Sequence, residues 1–406
     1  MTIGDTHYAT RAARMRASEI RELLKLLDRP GVISFAGGIP DPALFPAETI
    51  RAGYEAALAV GDTALQYSVS EGYAPLRQWI ARHMASIGVP CGADNIVVTS
   101  GSQQGLDYLG KLFLSPGDTA LVGWPTYLGA LQAFNAYEPR YDRLEPEHGN
   151  ATPDMYRAAA EAAGGRVALA YLTPDFANPS GETLSRAARE RALALADELD
   201  IPLVEDSAYQ ALRYDGEDVP PLLALDVAAK GEIDRSRVIH CGSFSKTLAP
   251  GLRIGWICAA RGVVQKLVLT KQAADLHTPT INQMVMHHAA EHAYPAQVAK
   301  IRAAYRDRRD RMLAALGRHM PAGVNWTRPE GGMFIWVTLP ESLDGADLLA
   351  RAVDQGVAFV PGRAFHADGR HGNTLRLSFS LADGAAIDEG IGRLGALIAG
   401  AAKAAA

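Results

Sequence analysis

The stretch Cys241-Gly242-Ser243-Phe244-Ser245-Lys246-Thr247-Leu248-Ala249-Pro250-Gly251-Leu252-Arg253-Ile254-Gly255-Trp256 lies between two apolar runs, Val238-Ile239-His240 before it and Ile254–Ala259 after it. Both runs read as buried strands. The quoted stretch holds two serines, one lysine, one arginine and three glycines, an unusual set for a plain loop. Ser243, Ser245 and Arg253 can all meet a phosphate, and Gly251 would let the backbone turn tightly. Lys246 sits among small and apolar neighbours, where its ammonium is poorly solvated and its pKa falls. A lysine lowered in this way becomes a nucleophile toward a carbonyl carbon.

Outward from this stretch, the bulk properties set the frame. The chain has 406 residues, 48% of them hydrophobic, enough for a large core and two domains. Its net charge of −5 is spread over both signs, which implies no nucleic-acid footprint and no polybasic membrane surface. The three cysteines, at 91, 241 and 258, have no metal-ligand spacing and fit reduced thiols in a cytoplasmic protein. Met1–Tyr8 lacks an apolar core, so no signal peptide is expected, and no apolar run approaches the length of a membrane span.

Along the chain, residues 16–27 carry apolar positions 20, 23, 24 and 27 at helical spacing, and Arg29-Pro30-Gly31 ends that pattern. Ile96–Thr99 reads as a strand that meets Ser100-Gly101-Ser102-Gln103 and turns into a helix through Leu114, a ready anion site. Asp118–Gly123 is a further strand, followed by Trp124-Pro125-Thr126-Tyr127. Val167–Leu172 leads to Thr173-Pro174-Asp175-Phe176-Ala177-Asn178-Pro179-Ser180-Gly181 and a helix over 184–199. Ile201–Val204 is a short strand ending in Glu205-Asp206-Ser207-Ala208-Tyr209. Chemistry-bearing residues therefore follow strand after strand, as expected at the carboxyl edge of a parallel sheet covered by helices. Past residue 296 the pattern changes to a long charged helix (296–318) and strand-like segments Val324–Thr327, Met333–Leu339, Val357–Pro361 and Leu375–Ser380. Arg376 lies within the last of these, on either face by pattern alone.

These segments together resemble the fold-type I, class I/II aminotransferases, nearest in pattern to the 2-aminoadipate/kynurenine subgroup. The resemblance runs from about residue 16 to the C-terminus and is carried by Ser34–Pro46, Gly101–Asp107, Asn178–Gly181, Glu205–Tyr209, Gly242–Gly255 and Asn373–Ser378. It implies an α/β fold with a mostly parallel seven-stranded sheet, helices on both faces and a smaller α+β domain. The implied division is an N-terminal helix and arm over 1–45 covering the active site, a large domain over 46–295 and a small domain over 296–406. It also implies pyridoxal 5′-phosphate as cofactor, no metal, and amino acid and 2-oxo acid substrates. The resembling enzymes work as homodimers with active sites at the subunit interface.

Residue by residue, the resemblance makes Lys246 the covalent anchor of the cofactor and Asp206 the partner of its ring nitrogen. Asn178 and Tyr209 would contact the ring hydroxyl, and Tyr127 would stack on the ring. Ser102, Gln103, Ser243, Ser245 and Arg253 would hold the phosphate, and Arg376 the substrate α-carboxylate. Gly38 and Tyr67 would approach the site, Tyr67 from the partner subunit, and Arg21 would read the distal group of the substrate. Ser207 and Ser180 depart from the aspartate and threonine common in the family, and Phe176-Ala177 would shape the pocket wall. Other pyridoxal-phosphate reactions, a lyase or an oxidase, fit the same scaffold. A regulator with a winged helix ahead of this fold is not expected, since the resemblance starts near residue 16.

Overall fold

Seven strands build the main framework: β1 (Ile96–Thr99), β2 (Thr119–Val122), β3 (Arg140–Arg143), β4 (Val167–Leu172), β5 (Leu203–Asp206), β6 (Val238–Ser243) and β7 (Gly255–Cys258). The computed structural model describes residues 7–15 and 31–405. The strand order is β1-β7-β6-β5-β4-β2-β3, and every neighbouring pair is parallel except those made by β7. The central strands are buried along their whole length because helices cover both faces. Side chains alternate between the two layers: Ile96, Val98, Trp256 and Cys258 pack into one core, and Val97, Ile257, Val204 and Ile239 into the other. The expected mostly parallel, seven-stranded α/β sheet is present.

The edge strand β3, with the sequence Arg-Tyr-Asp-Arg, has no apolar alternation and was not foreseen from the sequence. It pairs with β2 alone, and charged side chains suit such an edge because they discourage pairing with another chain.

Helices used below are α1 (Ser102–Phe113), α2 (Leu128–Asn135), α3 (Arg186–Leu199), α4 (Arg261–Gln272) and α5 (Thr280–His319). The expected charged helix starts not at 296 but at Thr280, and Pro295 lies within it. A proline normally breaks a helix, which is why the sequence reading placed the start there. The expected domain boundary at 295/296 therefore falls inside one continuous helix.

The second sheet contains β8 (Asn325–Trp326), β9 (Phe334–Thr338), β10 (Val360–Pro361) and β11 (Thr374–Ser378), in the antiparallel order β10-β11-β9-β8. The run expected as one strand over 357–361 divides between two sheets. Val357–Ala358 pairs in parallel with Ile33–Ser34, and Val360–Pro361 joins the four-stranded sheet. That small pairing brings the segment after Ser34 alongside β11, where the Ser378 amide donates to the Phe35 carbonyl at 2.8 Å.

The loop after β4 is held by a buried ion pair. Arg189 of α3 is fully buried and donates to Asp175 at 2.6 Å, and to the carbonyls of Pro174, Leu184 and Pro220. Burial raises the Asp175 pKa, and only Arg189 and lesser neighbouring charges oppose it. Removing the guanidinium strands a buried carboxylate, which costs about 3–5 kcal/mol. Arg189→Ala should lower stability by that amount in urea denaturation; a loss under about 1 kcal/mol would show that the pair does not anchor this loop.

Candidate active site

The site forms where strands end. Thr99 at the end of β1, Gly255 at the start of β7 and Ser243 at the end of β6 lie side by side in register, and Asp206 at the end of β5 pairs with Cys241. The antiparallel β7 thus delivers Arg253 and Gly255 to the edge at which the parallel strands terminate. Gly101 has a φ of 78° and leads into α1; a Cβ there would lie 2.4 Å from Arg253 Nη2. A Cβ on Gly255 would lie 2.6 Å from the Ser102 amide nitrogen. Only glycine at both positions lets the helix start settle on the strand beside the arginine.

This arrangement collects anion donors. No side chain caps α1, so its first-turn amides at Ser102 and Gln103 remain for an external acceptor. The Ser243 hydroxyl donates to the Ser245 hydroxyl at 2.9 Å and accepts from the Ser245 amide at 3.1 Å. Arg253 is exposed and donates to the Ser100 carbonyl at 3.3 Å. The tight turn expected at Gly251 is instead made by Arg253, whose φ is 56°. A cation, two hydroxyls and free amides match a phosphate dianion. The Gln103 side chain is committed elsewhere: its amide donates to the Gly129 carbonyl at 2.7 Å, and its oxygen accepts from Tyr127 at 3.4 Å. What Gln103 can offer an anion is its backbone.

Asp206 is 3% exposed. Tyr171 donates to its Oδ2 at 2.8 Å, while Oδ1 is buried with no partner among the described residues. Burial raises its pKa to about 6, against the pull of Tyr171, His240, the Ala208 backbone N–H and Lys246. A buried carboxylate with one oxygen unsatisfied fits a protonated ring nitrogen, which supplies both the missing donor and the charge. Burial pushes the Tyr127 phenol up to about 12, so it stays a neutral donor.

Lys246 donates to the Gly38 carbonyl at 2.9 Å, and its nitrogen lies 5.8 Å from the Tyr209 ring centre. Desolvation, and then the charges of Arg376 and Arg253, lower its pKa to about 8. Gly38 closes tightly here, since a Cβ would meet the Phe334 ring at 2.8 Å. Asn178 donates to the Tyr209 hydroxyl at 3.4 Å and accepts from Arg376 Nη1 at 2.6 Å. Arg376 is 2% exposed, so its place on β11 is inward. Its Nη2 donates to the Ala36 carbonyl at 2.7 Å, and its Nε is buried without a partner among the described residues. The guanidinium lies between the Phe334 and Phe365 rings, 4.3 and 5.0 Å from their centres. Burial lowers its pKa to about 10, which leaves it cationic at neutral pH. A planar cation with an unspent N–H suits a carboxylate.

Two expected site residues stand apart. Tyr67 is 79% exposed and touches His277 edge-on at 5.9 Å, so it does not reach the cluster within this chain. Arg21 lies outside the described residues. The structure also adds residues that the sequence reading passed over. Tyr171 reads as one more apolar position of β4, and its partner Asp206 is 35 residues away. Phe334, Phe365 and the Ala36 carbonyl carry no local sign of a role, because Arg376 comes to them only through the second sheet.

Known proteins resemble this chain over nearly its whole length. Residues 32–394 match the profile of the family described as Aminotransferase class I and II. The chain is 43% identical over 396 residues to aromatic-amino-acid aminotransferase 1 of Thermococcus litoralis, covering 96% of this chain and 93% of that protein. It is also 43% identical over 393 residues to the 2-aminoadipate transaminase of Thermus thermophilus, covering 96% of each. The crystal structure of the Thermus thermophilus alpha-aminoadipate aminotransferase with N-(5′-phosphopyridoxyl)-L-leucine superposes with a TM-score of 0.87 at 40% identity, covering 98% of this chain and 99% of that one.

The lowered Lys246 pKa has a direct consequence. Below about pH 8 the side chain is mostly ammonium and cannot attack an aldehyde. Covalent capture of pyridoxal 5′-phosphate by the cofactor-free protein, trapped with borohydride, should accelerate as pH rises toward 8 and level off above it. Lys246→Ala should give no trapped link. Acceleration that continues to about pH 10, the range of an ordinary lysine, would contradict the lowered value.

Proposed function

Because this chain belongs to the aminotransferase class I and II family, we propose how its own residues divide the work of moving an amino group from an amino acid to a 2-oxo acid. The chain is a pyridoxal-phosphate-dependent transaminase. The observation that carries the division of roles is Asp206 Oδ1, a buried carboxylate oxygen with no partner, at the same strand edge as a phosphate cradle and a lysine of lowered pKa.

Ser102, Gln103, Ser243, Ser245 and Arg253 hold the phosphate, with the Gln103 contribution coming from its backbone. Asp206 holds the ring nitrogen in its protonated form, Tyr127 covers the ring, and Asn178 and Tyr209 orient it at its hydroxyl. The cofactor supplies an electron sink that lets an amino acid give up its α-proton. Arg376 holds the substrate carboxylate, using the Nε that has no partner in the protein, while Asn178 keeps the guanidinium aligned. Lys246 would be the base, its Nζ taking the proton from the substrate Cα and holding it for return. The first 2-oxo acid leaves before the second enters, so the cycle is ping-pong.

For substrates, we infer an acidic donor such as 2-aminoadipate or glutamate alongside aromatic and branched-chain amino acids, with 2-oxoglutarate as acceptor. The names of the two relatives, one aromatic and one 2-aminoadipate, support this breadth. Arg21, in the segment over 1–45 that we assign to covering the site, is our choice for the residue that meets a distal carboxylate. A screen of amino acids against 2-oxoglutarate, read as glutamate or product formation, tests the function. In Arg21→Ala, kcat/KM for 2-aminoadipate should fall by about 2–4 kcal/mol in transition-state terms while that for leucine or phenylalanine changes little. Equal losses would remove Arg21 from this role.

We also infer a cytoplasmic homodimer with shared sites. Tyr67 is exposed together with Leu65 and Val69, at 79%, 72% and 57%, a run of surface that a partner subunit would cover. Tyr67→Ala and Lys246→Ala chains, each inactive alone, should regain activity when mixed and re-dimerised, since one hybrid site then has both residues. Verified heterodimers without recovery would show that Tyr67 does not serve its neighbour.

A further inference from the structure

Behind the phosphate cradle lies a polar cluster that the division of roles leaves unused. Gln104, in the first turn of α1, accepts the Ser100 amide N–H at 2.8 Å through Oε1. The same oxygen accepts from Lys271 Nζ at 3.1 Å, while Gln104 Nε2 donates to Asp275 Oδ2 at 2.7 Å. Lys271, at the end of α4, is fully buried and spends its other donors on the two Asp275 oxygens, each at 3.0 Å. Tyr108, one turn further along α1, donates to Asp275 Oδ1 at 3.0 Å. The orientation of the Gln104 amide is thereby determined: flipping it would set its NH2 against two donors and its oxygen against a carboxylate.

Ser100 is the pivot between this cluster and the cradle. Its N–H goes to Gln104, and its carbonyl accepts from Arg253 at 3.3 Å. Its neighbour Gly101 is the left-handed residue from which α1 starts. The chain beyond Asp275 is strained as well, since Leu276 has a φ of 61° and a non-glycine residue stays there only when its surroundings hold it. Lys271 is fully buried while the Asp275 side chain is 30% exposed, and such a partly solvated pair contributes little stability of its own.

We propose that Gln104, held in orientation by Lys271 and Asp275, is a positioning residue for the cofactor phosphate: it sets the Ser100 peptide, and through it both the free amides of α1 and the side chain of Arg253. This rests on the reading of the cradle as the phosphate site. The cluster touches neither Lys246 nor Asp206 through any of these bonds. It therefore acts on the phosphate end of the cofactor and not on the ring.

The test compares pyridoxal 5′-phosphate with pyridoxal, which lacks the phosphate, titrated into cofactor-free protein and followed by absorbance of the covalent adduct. Gln104→Ala should weaken binding of the phosphorylated form about tenfold, the scale of one lost buried hydrogen bond, and that of pyridoxal less than about twofold. The double variant Lys271→Met, Asp275→Asn leaves the Gln104 amide free to flip without leaving a buried charge unpaired, and should show the same selective loss. Thermal melting of each cofactor-free variant checks folding, and the double variant decides if Gln104→Ala does not fold. Arg253→Ala serves as reference and should also lose the phosphorylated form selectively. Selective loss in Arg253→Ala with parallel or no loss in the cluster variants overturns the positioning role alone. Absence of selectivity in Arg253→Ala overturns the cradle reading and the proposal with it.

Discussion

A carboxylate buried with one oxygen unpaired is costly, and Asp206 is such a group. It stands buried at the end of a central parallel strand. Tyr171 secures one oxygen and leaves the other open. The open oxygen is where the proposed contact to a cationic ring nitrogen falls. The proposed cradle lies beside it at the ends of β1, β6 and β7, and Lys246 sits a few residues past the end of β6.

A second constraint joins the two sheets. Arg376 belongs to β11, yet its guanidinium is held by Asn178 from the loop after β4 and by the Ala36 carbonyl near the start of the described chain. Three distant segments converge on one cation between two aromatic rings. The Ile33–Ser34 pairing with Val357–Ala358 makes this possible, since it carries Ala36 and Gly38 to the place where Arg376 and Lys246 both need acceptors. A pairing two residues long therefore shapes the substrate side of the site.

The same physics explains how the lysine and the arginine differ. Both are taken from water, and both lose basicity, to about 8 for Lys246 and about 10 for Arg376. For Lys246 this brings the change of charge close to neutral pH. For Arg376 the starting value is so high that it remains charged. One environment thus yields a titrating amine and a fixed cation, because the two side chains start from different intrinsic basicities.

The sequence by itself determined the sheet and the chemistry placed along its edge. Apolar runs such as Val167–Leu172 and Val238–Ser243 can only be buried strands, and the polar residues after them have nowhere to go but the carboxyl edge. Lys246 and Asp206 stood out as candidates for that reason, whereas the roles expected of Asn178 and Arg376 came from the family resemblance alone. Local pattern misread what depends on context: β3 is polar because it is an edge, and α5 runs through Pro295 because tertiary packing outweighs one missing hydrogen bond. The tertiary structure alone decided which distant groups meet. That Tyr171 serves Asp206 and that Arg376 points inward follow from strand order and register, and that Gln104 answers to Lys271 follows from the packing of α1 on α4. Periodicity shows which face a residue occupies but not what lies across from it.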